Sequence, residues 1–167
     1  LKNVTVFAYS LGTVAKGIKI RGLSSFLMLF YNQVMGVPAA LAGTAIMIAL
    51  ILDGITDPIV GVASDNTPSK WGRRHPYMYL SAVPFALTYL LLWTPPIGWS
   101  DTGLVIYMAV MVILVRFFDT LYEVPATALV PELTPDYNER TRIIGYRYLM
   151  GILGALIMTL YAYKVLF

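Results

Sequence analysis

The sequence contains no cysteine and only one histidine, His75. Without cysteine there can be no disulfides, thiolate metal sites or cysteine nucleophiles. With one histidine, a histidine metal site or a serine–histidine catalytic pair is not expected, and neither is an enzyme. Charged residues are also scarce, at 13% of 167 residues, against roughly 25% in soluble domains. Because 58% of the residues are hydrophobic, this deficit indicates a membrane protein.

Long apolar segments make up most of the chain. A spanning helix needs about 20 mostly apolar residues, whereas barrel strands would need a sustained alternation of period two, which is missing. The fold class predicted is therefore an all-α membrane protein with about five transmembrane helices. The predicted segments cover residues 4–31, 39–64, 76–93, 103–129 and 143–166.

The connections between these segments differ in charge from one side to the other. Six Lys or Arg residues fall on the side of the amino terminus, and Lys164 alone falls on the other side. Because basic loops stay in the cytoplasm, we expect a cytoplasmic amino terminus. The net charge of +3 is not gathered on one polar face, so a nucleic-acid partner is not expected. The six residues are Lys2, Lys70, Arg73, Arg74, Arg140 and Arg142.

Asp53 and Asp57 lie four residues apart in the second predicted helix, and therefore on one helix face. Pro58 follows them, has no N–H and so frees the carbonyl of Gly54. Uncompensated charge within the bilayer costs ~2.5–3.5 kcal/mol or more per group. These oxygens would suit a small hard cation such as Na⁺, or a proton. The alternative is that the two acids neutralise basic residues on neighbouring helices.

The fourth predicted helix repeats this pattern, with Asp119 and Glu123 four residues apart and Pro125 after them. Arg116 precedes Asp119 by three residues, so an ion pair within the helix is predicted. Other basic residues at membrane depth must face a cavity or a partner. They are Lys16, Lys19, Arg21 and Arg147. On the fifth helix, Gly151 and Gly154 are interpreted as residues of close helix packing.

Three blocks of sequence occur in order. They are Asp-Gly-Ile-Thr-Asp-Pro-Ile-Val-Gly (53–61), Trp-Gly-Arg-Arg-His-Pro (71–76), and Thr-Leu-Tyr-Glu-Val-Pro (120–125) with Leu-Val-Pro-Glu-Leu (129–133). The loop pattern Gly-x-x-x-Asp followed by Gly-Arg-Arg resembles the loop between helices 2 and 3 of the major facilitator superfamily. Together the blocks resemble the glycoside–pentoside–hexuronide:cation symporter family, the melibiose permease group, from residue 8 to about residue 154.

This resemblance implies a fold of twelve helices in two halves, so residues 1–167 are expected to be an incomplete amino-terminal transmembrane half. The carboxy-terminal half would be a missing partner. The implied function is symport of a sugar, glycoside or uronide with Na⁺ or H⁺, in the bacterial inner membrane. The lipid bilayer and a small carbohydrate substrate are the other expected partners, and the coupling cation takes the place of a cofactor.

The resemblance also assigns site residues. The cation, Na⁺ if not H⁺, would be bound by the acid pair and two threonines: Asp53, Asp57, Thr56 and Thr120. Substrate would contact Lys16, Glu123 and, after a one-residue gap, Arg147. Apart from the resemblance, Tyr122 could line a polar cavity and is included among the expected substrate-binding residues. The loop motif comprises Gly61, which allows close helix approach, and Asp65, which can pair with Arg73 and Arg74.

Two positions depart from the family pattern. Gly17 stands where a sugar-binding aspartate is expected, and Thr127 stands where a stacking tryptophan is expected. Because the chain lacks both, a simple galactoside is not the expected substrate. Two alternatives therefore stay open: a carrier of a lipid-like or other anionic amphiphile on the same fold, or a fragment that transports nothing alone.

Overall fold

The computed structural model describes residues 3–166, and its regular elements are helices. The described chain forms two compact units. Residues 3–30 and 130–166 form the first unit, and residues 31–129 form the second. Lys2, one of the six basic residues used to predict orientation, lies outside the described residues.

The first unit consists of two long helices and short elements attached to them. Helix α1 (Asn3–Arg21) continues into a π-helical segment, π1 (Gly22–Phe26), and a short α-helical turn, α2 (Leu27–Leu29). A second π-helical segment, π2 (Phe30–Val34), carries the chain into the second unit. After the second unit, the chain returns to the first unit and forms α6 (Val130–Leu133) and α7 (Tyr137–Leu166). Helix α7 packs against α1.

The predicted first and fifth helices are confirmed, with two differences. The two π-helical segments were not predicted, because apolar periodicity does not distinguish a π turn from an α turn. Helix α7 begins six residues earlier than predicted, because its first turns are polar and hydrogen-bonded. Asp136 Oδ1 accepts from the Asn138 N–H at 2.7 Å, and Arg142 Nη1 lies 3.1 Å from Glu139 Oε1.

Helices α1 and α7 cross at glycines. A Cβ atom on Gly17 would overlap the carbonyl oxygen of Gly151, and one on Gly154 would overlap the carbonyl oxygen of Val14. The Thr13 hydroxyl donates to the Arg147 carbonyl oxygen at 2.9 Å across the same interface. The predicted packing role is confirmed for Gly154, since small residues allow two backbones to approach closely, whereas a Cβ atom on Gly151 would lie at an ordinary contact distance of 3.8 Å from the Thr13 carbonyl oxygen.

The second unit consists of three helices, α3 (Ala39–Asn66), α4 (His75–Leu92) and α5 (Asp101–Ala128). Their ends lie within two residues of the predicted ends. Helix α5 packs against both α3 and α4. The Ser100 hydroxyl accepts from the Gly103 N–H at 3.3 Å and thereby caps α5. Helices α3 and α5 continue through Pro58 and Pro125, respectively.

Two tyrosines bind the carboxyl end of α4. The Tyr31 hydroxyl donates to the Leu92 carbonyl oxygen at 2.8 Å, and the Tyr107 hydroxyl donates to the Leu91 carbonyl oxygen at 2.7 Å. The last carbonyls of a helix have no partner within the helix. Tyr31 supplies a donor to the Leu92 carbonyl oxygen, whereas the Leu91 carbonyl oxygen also accepts from the Thr94 N–H at 3.1 Å.

Three of the described helical stretches are long and apolar enough to cross a membrane, by length and composition alone. They are Ala39–Asn66, Asp101–Leu133 and Tyr137–Lys164. Of the other two long helices, α1 contains Lys16, Lys19 and Arg21, whereas α4 contains no Asp, Glu, Lys or Arg and is 18 residues long.

Candidate functional site

A threonine hydroxyl joins the two acids of α3. Thr120 Oγ1 on α5 lies 2.8 Å from Asp57 Oδ1 and 3.2 Å from Asp53 Oδ1. Thr120 is buried, with 3% of its surface exposed. Because a hydroxyl carries a single proton, it cannot fully satisfy both carboxylates. The contact thus brings three oxygens, two of them acidic, to one point between α3 and α5.

The basic residue at this point is Arg116 of α5. Its Nη1 lies 2.8 Å from Asp53 Oδ2, and the two side chains are 17% and 26% exposed, respectively. The predicted pair between Arg116 and Asp119 is therefore wrong. The reason is helical spacing: Arg116 and Thr120 are four residues apart and share one face, which α5 turns towards α3.

Thr56, the fourth residue of the predicted cation set, makes a different contact. Its hydroxyl donates to the backbone carbonyl oxygen of Asp53 at 3.2 Å, within α3. This is the back-bonding common to threonines inside helices. The structure thus brings Asp53, Asp57 and Thr120 together, and directs the Thr56 proton to its own helix.

The predicted substrate residues of the second unit, Tyr122 and Glu123, are half-buried on α5. Thr127 donates its hydroxyl to Glu123 Oε1 at 2.9 Å, one helical turn away. The threonine that replaces the expected stacking tryptophan is therefore a hydrogen-bond partner of the acid. Sequence analysis missed this contact, although the spacing of four residues between a hydroxyl and a carboxylate could have indicated it.

The other predicted substrate residues, Lys16 and Arg147, belong to the first unit. Lys16 is half-buried on α1. Arg147 of α7 reaches towards α1, where its Cζ lies 5.3 Å from the centre of the Tyr9 ring. Its Nη1 also lies 3.5 Å from the Tyr9 hydroxyl. The guanidinium is thus oriented by an aromatic ring, a favourable cation–π arrangement.

Gly17 has a structural explanation that sequence analysis missed. It lies in the crossing of α1 and α7, where a Cβ atom would also lie 2.9 Å from the Ala155 backbone nitrogen. No aspartate fits there without separation of the two helices. The absence of the sugar-binding aspartate is therefore coupled to close helix packing, and the glycines of α7 were the available signal.

The loop motif forms an ion pair between Arg74 and Asp65. Arg74, only 9% exposed, donates to Asp65 Oδ1 from Nε at 2.9 Å and from Nη2 at 2.6 Å. Its Nη1 donates to the Ala128 carbonyl oxygen at the end of α5. Arg73 is exposed. Gly61 faces Val124, where an added Cβ would lie 3.7 Å from Cγ1, so the α3–α5 spacing does not require glycine there.

We expect Arg74→Ala to lower the free energy of unfolding by about 2 kcal/mol, because it removes charge-assisted hydrogen bonds to a carboxylate and a helix-end carbonyl. Thermal unfolding in detergent, followed by tryptophan fluorescence, measures the loss. Lys70→Ala is the matched control, since Lys70 is an exposed cation of the same loop. Equal melting temperatures for the two variants would contradict the expectation.

Comparisons with known proteins are consistent with these features. The family model described as MFS/sugar transport protein matches residues 8–167. An uncharacterized symporter of Synechocystis is 42% identical over 162 residues, which cover 94% of this chain and 30% of that protein. The isoprimeverose transporter of Lactiplantibacillus pentosus is 35% identical over 154 residues, which cover 92% of this chain and 32% of that protein.

A third relative comes from a vertebrate. Sodium-dependent lysophosphatidylcholine symporter 1 of Xenopus tropicalis is 32% identical over 139 residues, covering 82% of this chain and 26% of that protein. The chain thus spans about a third of the length of the curated relatives it matches. Its apolar helices and these relatives identify a multi-pass membrane protein. The chain belongs to the glycoside–pentoside–hexuronide:cation symporter family of the major facilitator superfamily.

Proposed function

We propose that this chain is the incomplete amino-terminal half of a secondary active transporter. It carries a sugar, glycoside or uronide across the membrane together with Na⁺ or H⁺. The observation that carries the proposal is the convergence of Asp53 and Asp57 on the hydroxyl of Thr120, at 3.2 Å and 2.8 Å. The carboxy-terminal half of the same transporter would complete the substrate cavity at the interface of the halves.

The proposed cation site has suitable chemistry for either ion. Carboxylate, hydroxyl and carbonyl oxygens are the ligands that hard cations prefer, and a carboxylate also accepts a proton. Binding of the cation neutralises acids that are expensive to keep charged at membrane depth. Cation and substrate then raise each other's affinity by the same factor, because coupling between two sites is reciprocal.

The remaining residues have proposed roles in substrate binding and gating. Glu123, oriented by Thr127, accepts hydrogen bonds from substrate hydroxyls, and Tyr122 lines the same stretch of α5. Lys16 and Arg147 bind the anionic group of a uronide. The loop motif, Gly61, Asp65, Arg73 and Arg74, controls the cytoplasmic end of the helices. The basic loops place the amino terminus in the cytoplasm, and the proposed membrane is the bacterial inner membrane.

Uptake into proteoliposomes tests this proposal. The full-length transporter that contains these residues is reconstituted, and a Na⁺ or H⁺ gradient is imposed with a panel of labelled glycosides and uronides. We expect accumulation of at least one of these substrates to follow one gradient and to disappear when that gradient is collapsed. Failure of both gradients to drive accumulation of any member of the panel would contradict the proposal.

Substitution of Thr120 tests the cation site with a small change. We expect Thr120→Val to raise the cation concentration for half-maximal uptake about tenfold, because valine removes the hydroxyl and leaves the shape nearly unchanged. Thr120→Ser is the matched control: it keeps the hydroxyl and should stay near the parent value. If the valine and serine variants need the same cation concentration for half-maximal uptake, Thr120 is not a ligand of the cation.

One relative favours a second candidate function. The Xenopus protein is named a sodium-dependent lysophosphatidylcholine symporter, and the chain lacks the expected sugar-binding aspartate and stacking tryptophan. A carrier of lipid-like anionic amphiphiles would use Lys16 and Arg147 for the phosphate. Adding labelled lysophosphatidylcholine to the uptake panel separates the two candidates: accumulation of the lysolipid, and of no sugar, would favour the second.

A further inference from the structure

The two acids of α3 have different surroundings. Asp53 Oδ2 accepts from Arg116 at 2.8 Å, and Asp53 Oδ1 lies 3.2 Å from Thr120 Oγ1, whose single proton is shared with Asp57. Asp57 contacts Thr120 at 2.8 Å through Oδ1. Within the described part of the chain, its Oδ2 has no hydrogen-bond partner. Asp57 is also the more exposed acid. Asp57 is therefore the acid with an oxygen available to an incoming cation.

The three charged side chains that these contacts join, Asp53, Asp57 and Arg116, carry one negative charge in total. Asp53 and Asp57 contribute two negative charges, and Arg116 contributes one positive charge at ion-pair distance from Asp53. No third acid or histidine joins the pair to form a metal-binding group in residues 3–164. One monovalent cation neutralises the group, whereas a second cation or a divalent cation would leave excess positive charge at membrane depth, which is costly.

Arg116 makes its contact through a single nitrogen. Nη1 donates to Asp53, whereas Nε is buried and has no hydrogen-bond partner in the described structure. A planar two-nitrogen fork, the usual advantage of arginine over lysine, is not used here. The positive charge of Arg116, more than its shape, is therefore the property that bears on Asp53.

We propose that Arg116 is a specificity-determining residue, because it is a permanent counter-ion of Asp53. With Asp53 neutralised in this way, the site binds one monovalent cation, and Asp57 is the acid that binds it. This inference rests on the proposed function, and it gives the two acids different roles. Asp57 takes part in binding and release of the cation, while Asp53 keeps Arg116 in place.

The test is a charge series in the full-length transporter: Arg116→Gln, Asp53→Asn and the double variant. The measured quantity is the concentration of the driving cation, Na⁺ or H⁺, that gives half-maximal uptake. Arg116→Gln leaves two negative charges, and we expect this concentration to fall at least about tenfold. Asp53→Asn leaves no net charge, and we expect a rise of at least about tenfold. The double variant restores one negative charge and should lie within about threefold of the parent.

The double variant decides between the proposal and a site in which both acids bind the cation. If Asp53 is itself a ligand, the double variant loses cation-driven uptake as completely as Asp53→Asn does, and the proposal is overturned. Size-exclusion profiles and protein yield show which variants are folded. If the double variant does not fold, Arg116→Lys decides the question, since lysine keeps the charge and one donor. Uptake close to the parent supports the proposal, and loss of coupling overturns it.

These outcomes are distinct from failure of the proposed function. If the parent transporter accumulates nothing under either gradient, the symport proposal itself fails. If the parent accumulates substrate and all Arg116 variants keep the parent cation dependence, symport stands and only the role of Arg116 is refuted.

Discussion

Asp57→Asn is expected to abolish cation-driven accumulation, leaving substrate at the level reached without a gradient. Asparagine matches aspartate in shape but has no charge. With Arg116 paired to Asp53 at 2.8 Å, the variant loses both the remaining negative charge and the carboxylate proposed to bind the cation. Labelled substrate uptake by proteoliposomes, with and without the driving gradient, measures the effect.

The matched control for this variant is Asp101→Asn. The change is chemically identical, but Asp101 is exposed at the first turn of α5. It should cost no more than the loss of a helix-dipole interaction, up to about 1 kcal/mol of stability, and it should leave accumulation intact. Retained coupling in Asp57→Asn would falsify the assignment of the cation site and leave the two acids as ion-pair partners.

The second large effect is expected from a single methyl group at Gly17. A Cβ atom there would overlap the Gly151 carbonyl oxygen, and backbone cannot move aside as a flexible side chain can. We expect Gly17→Ala to lower the free energy of unfolding by roughly 1–3 kcal/mol, the usual range for an overfilled core. Unfolding in detergent by increasing SDS, followed by circular dichroism, measures the loss.

Gly145→Ala is the matched control in the same unit. Gly145 also lies in α7, and a Cβ atom there would have nothing within 4 Å. Alanine favours the helix over glycine by up to about 1 kcal/mol, so this variant should be as stable as the parent or slightly more stable. If the Gly17 and Gly145 variants unfold at the same SDS concentration, close helix packing is not the reason for glycine at position 17.

Helix positions could be predicted because membrane-spanning segments are long, apolar and bounded by polar turns. The second, third and fourth helices end within two residues of their predicted ends. The start of α7 could not be predicted in this way, because a polar first turn stabilised by Glu139 and Arg142 does not differ from a loop in hydropathy.

The acid pair was predictable from spacing alone, whereas its partners depend on how α3 and α5 pack. Arg116 has Asp119 at a favourable spacing in its own helix, but it binds Asp53. A rule for neighbours on one helix cannot compare such a pair with a contact between helices. The need for glycine at position 17 likewise cannot be predicted from the sequence of α1, since the atoms that exclude a side chain belong to α7.

The π-helical segment Gly22–Phe26 has a consequence for how residues of α1 are matched between proteins. A π turn closes its hydrogen bonds one residue later than an α turn, and one residue corresponds to about 100° around an α-helix. Positions before Gly22 and after Phe26 are therefore out of phase by one residue. A homologue without this turn would need a one-residue gap here to align its faces, and spacing counted across the segment assigns residues to the wrong side.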